Sequence, residues 1–391
     1  MRIVVDNIIP FAEEIFGPLG DFVAVETGQI SPRHVRNADA LVIRSETRVT
    51  AELLEGSRVR FVGSATIGTD HVDRKHLASR KIRFVNAPGS NATAVAEYIF
   101  AALLVWARRY GTSLRGKTLG IVGLGNIGSR VALRAEAIGL QVLRNDPPLA
   151  RSLPGGKRAG SSGIFLPLDE LMGADFVTIH VPLTSGGPDP TFHLFDAARI
   201  GRMRRGSFLI NTSRGPVVDG TALKDVLRSN HLAGACIDVW EGEPEIDVDL
   251  LEAVFLGTPH IAGYSLEGKL NAVLAVAREL SSFLGGNPAD VRVPDLPPSN
   301  IASLDFSERE EPAEALAGDA ITMCYDIVRD DNEFRKIARV SRDQRRAFFL
   351  RMRLAYPPRR EFRATTVTTS PEQGDLTQAL QGLGFRTAQS M

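Results

Sequence analysis

The chain alternates short apolar runs with polar or amphipathic stretches, a pattern typical of parallel sheets covered by helices. Four apolar runs in the first 90 residues predict buried strands: Ile3–Val5, Ala40–Ile43, Arg60–Gly63 and Arg83–Val85. A second series begins near residue 116 and predicts six more: Thr118–Val122, Gln141–Leu143, Phe176–His180, Phe208–Asn211, Ala235–Val239 and Phe255–Gly257. The pattern therefore predicts two doubly wound α/β domains, each built on a parallel sheet.

Two longer stretches have the periodicity of helices. Residues 93–109 are apolar around nearly the whole circumference of a helix, which predicts a buried helix. Residues 268–284 are amphipathic and would return the chain to the first domain. We accordingly place the first domain, which would bind the substrate, at residues 1–92 and 266–286, and the second at residues 93–265.

The composition of the chain changes after a Gly/Pro-rich linker at residues 285–298. An arginine-rich stretch covers residues 335–363 and overlaps a strand-like run, Phe362–Thr369. We therefore expect residues 287–391 to form a small α+β domain of their own.

Charge and composition exclude several classes of protein. The 391 residues include 46 basic and 46 acidic side chains, which argues against a global electrostatic attraction to nucleic acid or to membranes. The longest apolar stretch, Ile99–Ala107, is too short to span a bilayer, and we see no secretory signal before the first strand. Only two cysteines occur, and no Cys/His spacing suits a metal. We expect a cytoplasmic protein without a metal site.

The most informative motif is a G-x-G-x-x-G sequence placed between a strand and a helix. It comprises Gly123, Gly125 and Gly128 and directly follows the apolar run Thr118–Val122. In this arrangement the first glycine permits a tight turn, the second lets backbone N–H groups approach a pyrophosphate, and the third allows the helix and strand to pack closely. The helix N-terminus then faces the negative charge. The motif predicts a dinucleotide-binding Rossmann domain.

An acidic residue after the next strand indicates which dinucleotide is bound. Asp146 stands 18 positions after the last glycine, where a carboxylate accepts hydrogen bonds from the ribose of NAD and repels the 2′-phosphate of NADP. Arg144 would share the strand face of Asp146 and neutralise it. Asp146 would also suit a turn before Pro147 and Pro148, and that alternative stays open. We expect NAD as the cofactor.

Polar residues follow three successive strands of the second domain: Arg214, Glu243 and His260. Ligands bind outside the carboxyl ends of strands in open α/β sheets, so we expect these side chains at the edge that carries the glycine loop. A guanidinium binds a substrate carboxylate through two parallel hydrogen bonds, and an imidazole oriented by a carboxylate exchanges a proton with a hydroxyl. Each residue alone would also suit a loop or a helix cap. Together they predict hydride transfer from a hydroxy acid, with Asp238 facing the nicotinamide.

At these positions the chain resembles the D-isomer-specific 2-hydroxyacid dehydrogenases, over about residues 1–290. The resemblance rests on four strings: Val42-Ile-Arg-Ser-Glu-Thr, Gly63-Ser-Ala-Thr-Ile-Gly-Thr-Asp-His-Val-Asp, Asp238-Val-Trp-Glu-Gly-Glu-Pro-Glu and Thr258-Pro-His-Ile-Ala-Gly-Tyr-Ser-Leu-Glu-Gly-Lys. It implies that Arg214, Glu243 and His260 are catalytic. It implies substrate contacts by Ser45, Thr66 and Tyr264. The NAD contacts that it implies, beyond the three motif glycines, are Asn126, Ile127, Asp146, Val181, Thr212, Ser213, Arg214, Asp238 and Gly263.

Some features depart from the family pattern. Val181 stands where the family usually has threonine, which removes a hydroxyl near the cofactor. Thr212 and Ser213 replace the usual Ala-Cys pair. The segment 150–163 is longer and richer in Gly and Ser than the family pattern, and it predicts a flexible surface loop.

The C-terminal string Tyr356-Pro-Pro-Arg-Arg-Glu-Phe resembles the dimerisation domain of one branch of the family, which implies a homodimer and a small phosphorylated 2-hydroxy acid as substrate. The phosphate needs cationic partners. Arg44 is one candidate, and Arg345 or Arg346 from a partner subunit is another, although most such arginines form solvated helix faces. Other substrates, such as 3-phosphoglycerate, hydroxypyruvate or D-lactate, stay open, as does a non-catalytic NAD-sensing protein. We expect no nucleic-acid or membrane partner.

Overall fold

Two units make up the computed structural model, which describes residues 1–152, 158–159 and 163–390. The first unit comprises Met1–Ala92 and Ser265–Pro297, and the second comprises Thr93–Tyr264 and Pro298–Met391. Each unit contains a large parallel sheet with helices, and the C-terminal part of the second has a small sheet of its own. The predicted fold class, two doubly wound α/β sheets with a small α+β C-terminal domain, is confirmed.

The first unit is built on a five-stranded sheet in which all paired strands are parallel. In sheet order the strands are β2 (Asp21–Val25), β1 (Arg2–Asp6), β3 (Ala40–Ile43), β4 (Phe61–Ser64) and β5 (Arg83–Val85). All four predicted strands are present. The edge strand β2 has no counterpart in the prediction, because only Val25 among its residues is buried and it therefore lacks a continuous apolar run.

Helices of the first unit cover this sheet, and α10 is the longest of them. They are α1 (Ala12–Phe16), α2 (Pro32–Val35), α3 (Arg74–Ser79) and α10 (Leu266–Phe283), with 3₁₀ turns at Gly17–Leu19 and Pro288–Asp290. A Cβ added to Gly63 in β4 would lie 2.3 Å from Cγ1 of Val276. The missing side chain of Gly63 thus lets α10, the helix predicted at residues 268–284, lie directly on the sheet.

The second unit contains a six-stranded parallel sheet. In sheet order the strands are β13 (Leu256–Gly257), β12 (Gly234–Ile237), β11 (Phe208–Asn211), β10 (Phe176–Ile179), β6 (Thr118–Val122) and β7 (Gln141–Asn145). All six predicted strands are present, with ends shifted by two residues or fewer. Every residue of β10, β11 and β12 is buried, as in sheets that are covered on both faces.

The helices around this sheet keep the βα alternation of the sequence, and the first of them precedes β6. They are α4 (Ala92–Tyr110), α5 (Asn126–Ala137), α6 (Pro147–Ser152), α7 (Ala197–Arg202), α8 (Gly220–Arg228) and α9 (Val248–Ala253), with 3₁₀ segments at Leu168–Gly173 and Gly215–Val217. The helix α4 confirms the buried helix predicted at residues 93–109. Within the described parts of the chain, α4 and all other helices are too short or too polar to cross a membrane.

The surface loop predicted at residues 150–163 lies mostly outside the described residues. In the described part, residues 150–152 complete α6, and β8 (Arg158–Ala159) pairs antiparallel with β9 (Gly163–Ile164), so the loop prediction is wrong for these residues. Asp146 explains the helix, because its carboxylate accepts a hydrogen bond from the backbone N–H of Leu149 and two prolines occupy the first helical positions.

The C-terminal part of the second unit has a three-stranded parallel sheet. Its elements are β14 (Ser303–Asp305), α11 (Ala313–Cys324), α12 (Ile327–Arg335), α13 (Arg342–Leu354), β15 (Thr366–Thr369), α14 (Gly374–Leu383) and β16 (Arg386–Gln389), with 3₁₀ turns at Lys336–Arg339 and Phe362–Ala364. The strand predicted at Phe362–Thr369 is thus a 3₁₀ turn followed by β15. The turn forms because the N–H of Thr365 donates to the carbonyl of Phe362, while the N–H of Phe362 donates to Glu97.

Candidate active site

The glycine motif forms the tight turn between β6 and α5. Gly123 has φ +91°, and a Cβ added to it would lie 2.8 Å from the carbonyl oxygen of His180. A Cβ on Gly128 would lie 1.9 Å from the carbonyl oxygen of Gly123. No atom comes within 4 Å of a Cβ on Gly125, which directly precedes the first residue of α5. The first and third glycines are therefore required by packing, whereas Gly125 leaves its backbone open to a ligand at a helix N-terminus.

Asp146 lies directly after β7 with its carboxylate against the glycine loop. One carboxylate oxygen accepts from the N–H of Leu124 at 2.8 Å, and the other accepts from Leu149 at 2.9 Å. Asp146 is therefore the turn residue of the alternative interpretation, and it also bonds the glycine loop that is predicted to bind the cofactor. Arg144 forms an ion pair with Glu136 of α5, so the prediction that it neutralises Asp146 is wrong. Glu136 can reach the guanidinium of Arg144 because α5 packs beside β7.

His180 and Val181 follow β10 beside the glycine loop. Cγ1 of Val181 lies 3.1 Å from the position of a Cβ on Gly123, which puts this departure from the family pattern next to the predicted cofactor turn. The ring of His180 is bonded to the hydroxyl of Thr178 at 3.0 Å, and its Nδ1 is without a hydrogen-bond partner among the described residues. Burial lowers the pKa of His180 to about 3, so the ring is neutral at physiological pH.

The loop after β11 holds Arg214 in a fixed turn. The side-chain oxygen of Asn211 accepts from the N–H and the hydroxyl of Ser213, and its amide donates to the carbonyl of Arg214 at 3.0 Å. A Cβ on Gly215 would lie 2.1 Å from the carbonyl carbon of Trp240. The loop that carries Arg214 therefore packs directly against the loop that follows β12.

Glu243 and His260 form the hydrogen-bonded pair that the sequence predicts. Oε1 of Glu243 lies 2.5 Å from Nδ1 of His260, and its Oε2 accepts from the N–H of Trp240 at 3.1 Å. Burial raises the pKa of Glu243, but the charge of His260 and these hydrogen bonds outweigh it, and the pKa ends below its usual value. An ionised Glu243 keeps the proton of the neutral ring on Nδ1, which leaves Nε2 for proton exchange with a substrate.

Asp238 holds the backbone of the segment that carries His260. Its buried carboxylate accepts from the hydroxyl of Thr258 at 2.6 Å and from the N–H groups of Ile261 and Ala262 at 2.7 and 2.9 Å. Its carbonyl accepts from the N–H of His260, which has φ +59°. The geometry thus gives Asp238 a role that sequence reasoning missed, because hydrogen bonds to a loop backbone leave no residue signature.

The C-terminal domain reaches the same loop. Nη2 of Arg353 donates to the hydroxyl of Tyr264 at 3.2 Å, and its guanidinium lies 5.9 Å from the centroid of the tyrosine ring. The sequence analysis named Arg345 or Arg346 of a partner subunit as candidates for the substrate phosphate, and their contacts within this chain lie elsewhere. Arg345 donates to the carbonyl of Val340, and Arg346 forms an exposed ion pair with Glu245. Arg345, Arg346 and Arg353 all lie on one helix, α13, so the hydrophobic pattern could not show which of them contacts Tyr264.

The predicted substrate residues of the first unit lie after β3 and β4. Arg44 is buried, with 9% of its surface exposed, and the hydroxyl of Ser45 donates to Glu46 at 3.1 Å. The hydroxyl of Thr66 donates to the carbonyl of Gly68 at 2.9 Å. Burial and the nearby charge of Arg44 lower the pKa of Lys269, near the start of α10, to about 8. Lys269 is thus a further cation that sequence reasoning missed.

Comparison with known proteins agrees with this geometry. The NAD-binding domain of the D-isomer-specific 2-hydroxyacid dehydrogenases matches residues 101–262, and a domain of unknown function, DUF3410, matches residues 296–384. The erythronate-4-phosphate dehydrogenase of Salinibacter ruber is 43% identical over 99% of this chain and 99% of its own length. The chain belongs to the D-isomer-specific 2-hydroxyacid dehydrogenases.

Further relatives of this dehydrogenase extend the comparison. The erythronate-4-phosphate dehydrogenase of Pseudomonas savastanoi pv. phaseolicola is 40% identical over 98% of this chain and 99% of its own length. A structure of the NAD-dependent formate dehydrogenase of Staphylococcus aureus in complex with NAD superposes with a TM-score of 0.60 at 27% identity, covering 73% of this chain and 96% of that one. The prediction of an NAD-dependent dehydrogenase is confirmed. In the described residues, no group of three or more His, Cys, Asp or Glu could hold a metal ion.

Gly128→Ala tests the packing of the glycine turn. The added methyl meets a backbone carbonyl that cannot move aside, so we expect the free energy of unfolding to fall by about 3 kcal/mol or more. Gly125→Ala is the matched control, because its methyl meets nothing within 4 Å; it should cost about 1 kcal/mol at most, for the poorer N-cap. Urea unfolding of both variants measures the difference, and equal losses would contradict the packing argument.

His180→Gln tests the burial of a neutral imidazole. The folded pKa of about 3 lies below the unfolded value of about 6.5, so the folded state binds fewer protons between these pH values. Stability due to His180 is therefore complete above pH 6.5 and is lost as the pH falls, by up to about 1.4 kcal/mol per unit. Urea unfolding at pH 7, 6 and 5 should show a smaller decline for the variant than for the wild type. Parallel declines would count against burial of a neutral ring.

Proposed function

We propose that this dehydrogenase oxidises 4-phospho-D-erythronate at C2 to (R)-3-hydroxy-2-oxo-4-phosphooxybutanoate with NAD, a step in pyridoxine 5′-phosphate biosynthesis. The observation that carries the reaction type is the 2.5 Å contact between Glu243 and His260, on the loops that follow the parallel strands. The substrate is supported by relatives named erythronate-4-phosphate dehydrogenase that match nearly the full length of the chain.

His260 acts as the acid–base residue in this proposal. With Nδ1 bonded to Glu243, Nε2 accepts the proton of the substrate hydroxyl, and the resulting imidazolium is stabilised by the carboxylate. Arg214 binds the substrate carboxylate through its guanidinium and orients C2. NAD, when bound, would supply the hydride acceptor for C2. In the reverse direction Nε2 returns the proton to the carbonyl oxygen.

The residues around the glycine loop fit NAD. An added Cβ at Gly125 would meet no atom within 4 Å, which leaves room for a pyrophosphate at the first turn of α5, and Asp146 lies at the end of β7. We propose Asp146 as the partner of the adenosine ribose. The other proposed NAD contacts are Gly123, Asn126, Ile127, Gly128, Val181, Thr212, Ser213, Arg214, Asp238 and Gly263. Both carboxylate oxygens of Asp238 already accept backbone or hydroxyl donors, so its influence on the nicotinamide would be electrostatic.

We assign the phosphorylated end of the substrate to cations of the first unit. Ser45, Thr66 and Tyr264 are proposed substrate contacts, and Arg44 is proposed for the phosphate. The lowered pKa of Lys269 beside Arg44 supports the assignment, because two neighbouring cations favour a bound anion. A homodimer formed by residues 287–391 and a cytoplasmic location complete the proposal.

Turnover with a panel of acids tests the substrate. Given NAD, we expect the purified protein to form NADH, read by its fluorescence, with 4-phospho-D-erythronate and not with D-3-phosphoglycerate or D-lactate. Parallel reactions with 2-oxoglutarate test whether this 2-oxo acid reoxidises the NADH as a hydride acceptor. If only another acid is turned over, the proposed substrate is wrong, whereas the proposed cofactor and catalytic residues stand. Tight NADH binding without any turnover would favour a non-catalytic NAD sensor.

His260→Ala tests the acid–base role. Removing the imidazole removes the proton acceptor, so kcat should fall by about 10²–10⁴-fold, the usual contribution of a positioned acid–base group. NADH binding, measured by fluorescence titration, should change little, because the side chain of His260 is not among the proposed cofactor contacts. Equal losses of turnover and NADH affinity would contradict this assignment.

A further inference from the structure

Residues 258–264 follow β13 and contain His260 and Tyr264, and we call this stretch the catalytic segment. Its N–H groups are held from one side, because the carboxylate of Asp238 accepts from Ile261 and Ala262. Its carbonyl groups need donors as well, since buried backbone oxygens are almost always hydrogen-bonded. For two of these carbonyls, those of Ala262 and Tyr264, the donors come from the C-terminal domain.

Arg359 supplies the donors to the carbonyl side. Its Nη2 donates to the carbonyl of Ala262 and its Nε to the carbonyl of Tyr264, both at 3.3 Å. Asp238 and Arg359 therefore hold the catalytic segment through opposite sets of backbone groups. Since these two residues bracket the backbone just after His260, small rotations of that backbone would lose hydrogen bonds on both sides.

Arg359 is itself fixed by a buried ion pair. Its Nη1 donates to Oε2 of Glu97 in α4 at 3.2 Å, and its Nη2 also donates to the carbonyl of Ala94. The side chains of Arg359 and Glu97 are 5% and 1% exposed. The guanidinium lies 4.3 Å from the centroid of the Tyr325 ring, and the other oxygen of Glu97 accepts from Phe362. The guanidinium therefore contacts α4, the ring of Tyr325 and the catalytic segment, and these contacts leave it little freedom to move.

We propose that Arg359 is a positioning residue for the dehydrogenase reaction, and that the C-terminal domain completes the catalytic segment of its own chain. The inference rests on the proposed roles of His260 and Tyr264. It goes beyond dimerisation, because Arg359, Glu97 and the segment belong to one chain and one unit. Arg359 contacts neither substrate nor NAD in this proposal and acts through the backbone of residues 262 and 264.

The test uses a double variant, Glu97→Gln with Arg359→Met. Arg359→Met alone would leave Glu97 buried without its partner, which destabilises strongly, whereas replacing both charges is better tolerated. Glutamine keeps an oxygen for the N–H of Phe362, so that contact is retained while the two bonds to the catalytic segment are lost. The matched control is Asp331→Asn with Arg335→Met.

The control removes a similar arrangement elsewhere in the C-terminal domain. Arg335 donates to the carbonyls of Leu251 and Val254 and pairs with Asp331, whose other oxygen accepts from Gly257. Asparagine keeps that acceptor. Arg335 also donates to the carbonyl of Phe255, so both double variants lose one ion pair and three hydrogen bonds to backbone carbonyls. Only Glu97→Gln/Arg359→Met removes bonds to the segment after His260.

Hydrogen exchange and kinetics give separate readouts. For Glu97→Gln/Arg359→Met we expect at least tenfold faster exchange in the peptide that contains Ile261 and Ala262, at least a tenfold lower kcat, and unchanged exchange in the core strand β10. The control should keep kcat and the exchange of that peptide within twofold of the wild type. Wild-type exchange and kcat in the first variant would overturn the proposal, as would equal losses in both.

Failure of the proposed substrate is distinguishable from failure of this inference. If wild-type protein does not turn over 4-phospho-D-erythronate, the proposed function fails, and the exchange comparison still decides whether Arg359 holds the segment. Turnover with another hydroxy acid would supply kcat for the same comparison.

Discussion

The hydrogen bonds of one buried carboxylate organise the loop of the second unit that carries His260. Asp238 directly follows β12, and its carboxylate accepts from the N–H groups of the two residues after His260. Since a buried carboxylate is stable only when its oxygens are bonded, the loop and the carboxylate fix one another. The left-handed backbone at His260 is maintained by this bonding, and the imidazole is thereby placed within 2.5 Å of Glu243.

Close backbone contacts connect the remaining loops to that loop. Gly128 meets the carbonyl of Gly123 in the dinucleotide turn, and Gly215 meets the backbone of Trp240 beneath the Arg214 loop. Neither approach leaves room for a side chain. Trp240 then donates its indole N–H to the carbonyl of Thr258, at the start of the catalytic segment. The loops after β11, β12 and β13 therefore pack against one another and do not place their polar residues independently.

Much of this could be predicted because it depends on local pattern. The buried strands β6, β10 and β11 have continuous apolar runs, and the glycine motif fixes its own turn by steric requirement. The edge strand β2 escaped the prediction because half-buried strands lack such runs. Arg144 was assigned the wrong partner because the sequence does not show that Glu136 of the preceding helix, α5, is nearer than Asp146.

By itself, the sequence determined the order of strands and helices, the dinucleotide motif and the types of residue that carry the chemistry, since these follow from side-chain periodicity, steric limits and functional groups. Only the tertiary structure decided which polar groups meet. The contacts of Asp238 with residues 261 and 262, and of Arg359 with Glu97, join positions far apart in the chain. Such contacts depend on packing between elements, and a backbone carbonyl or N–H carries no residue identity from which its partner could be read.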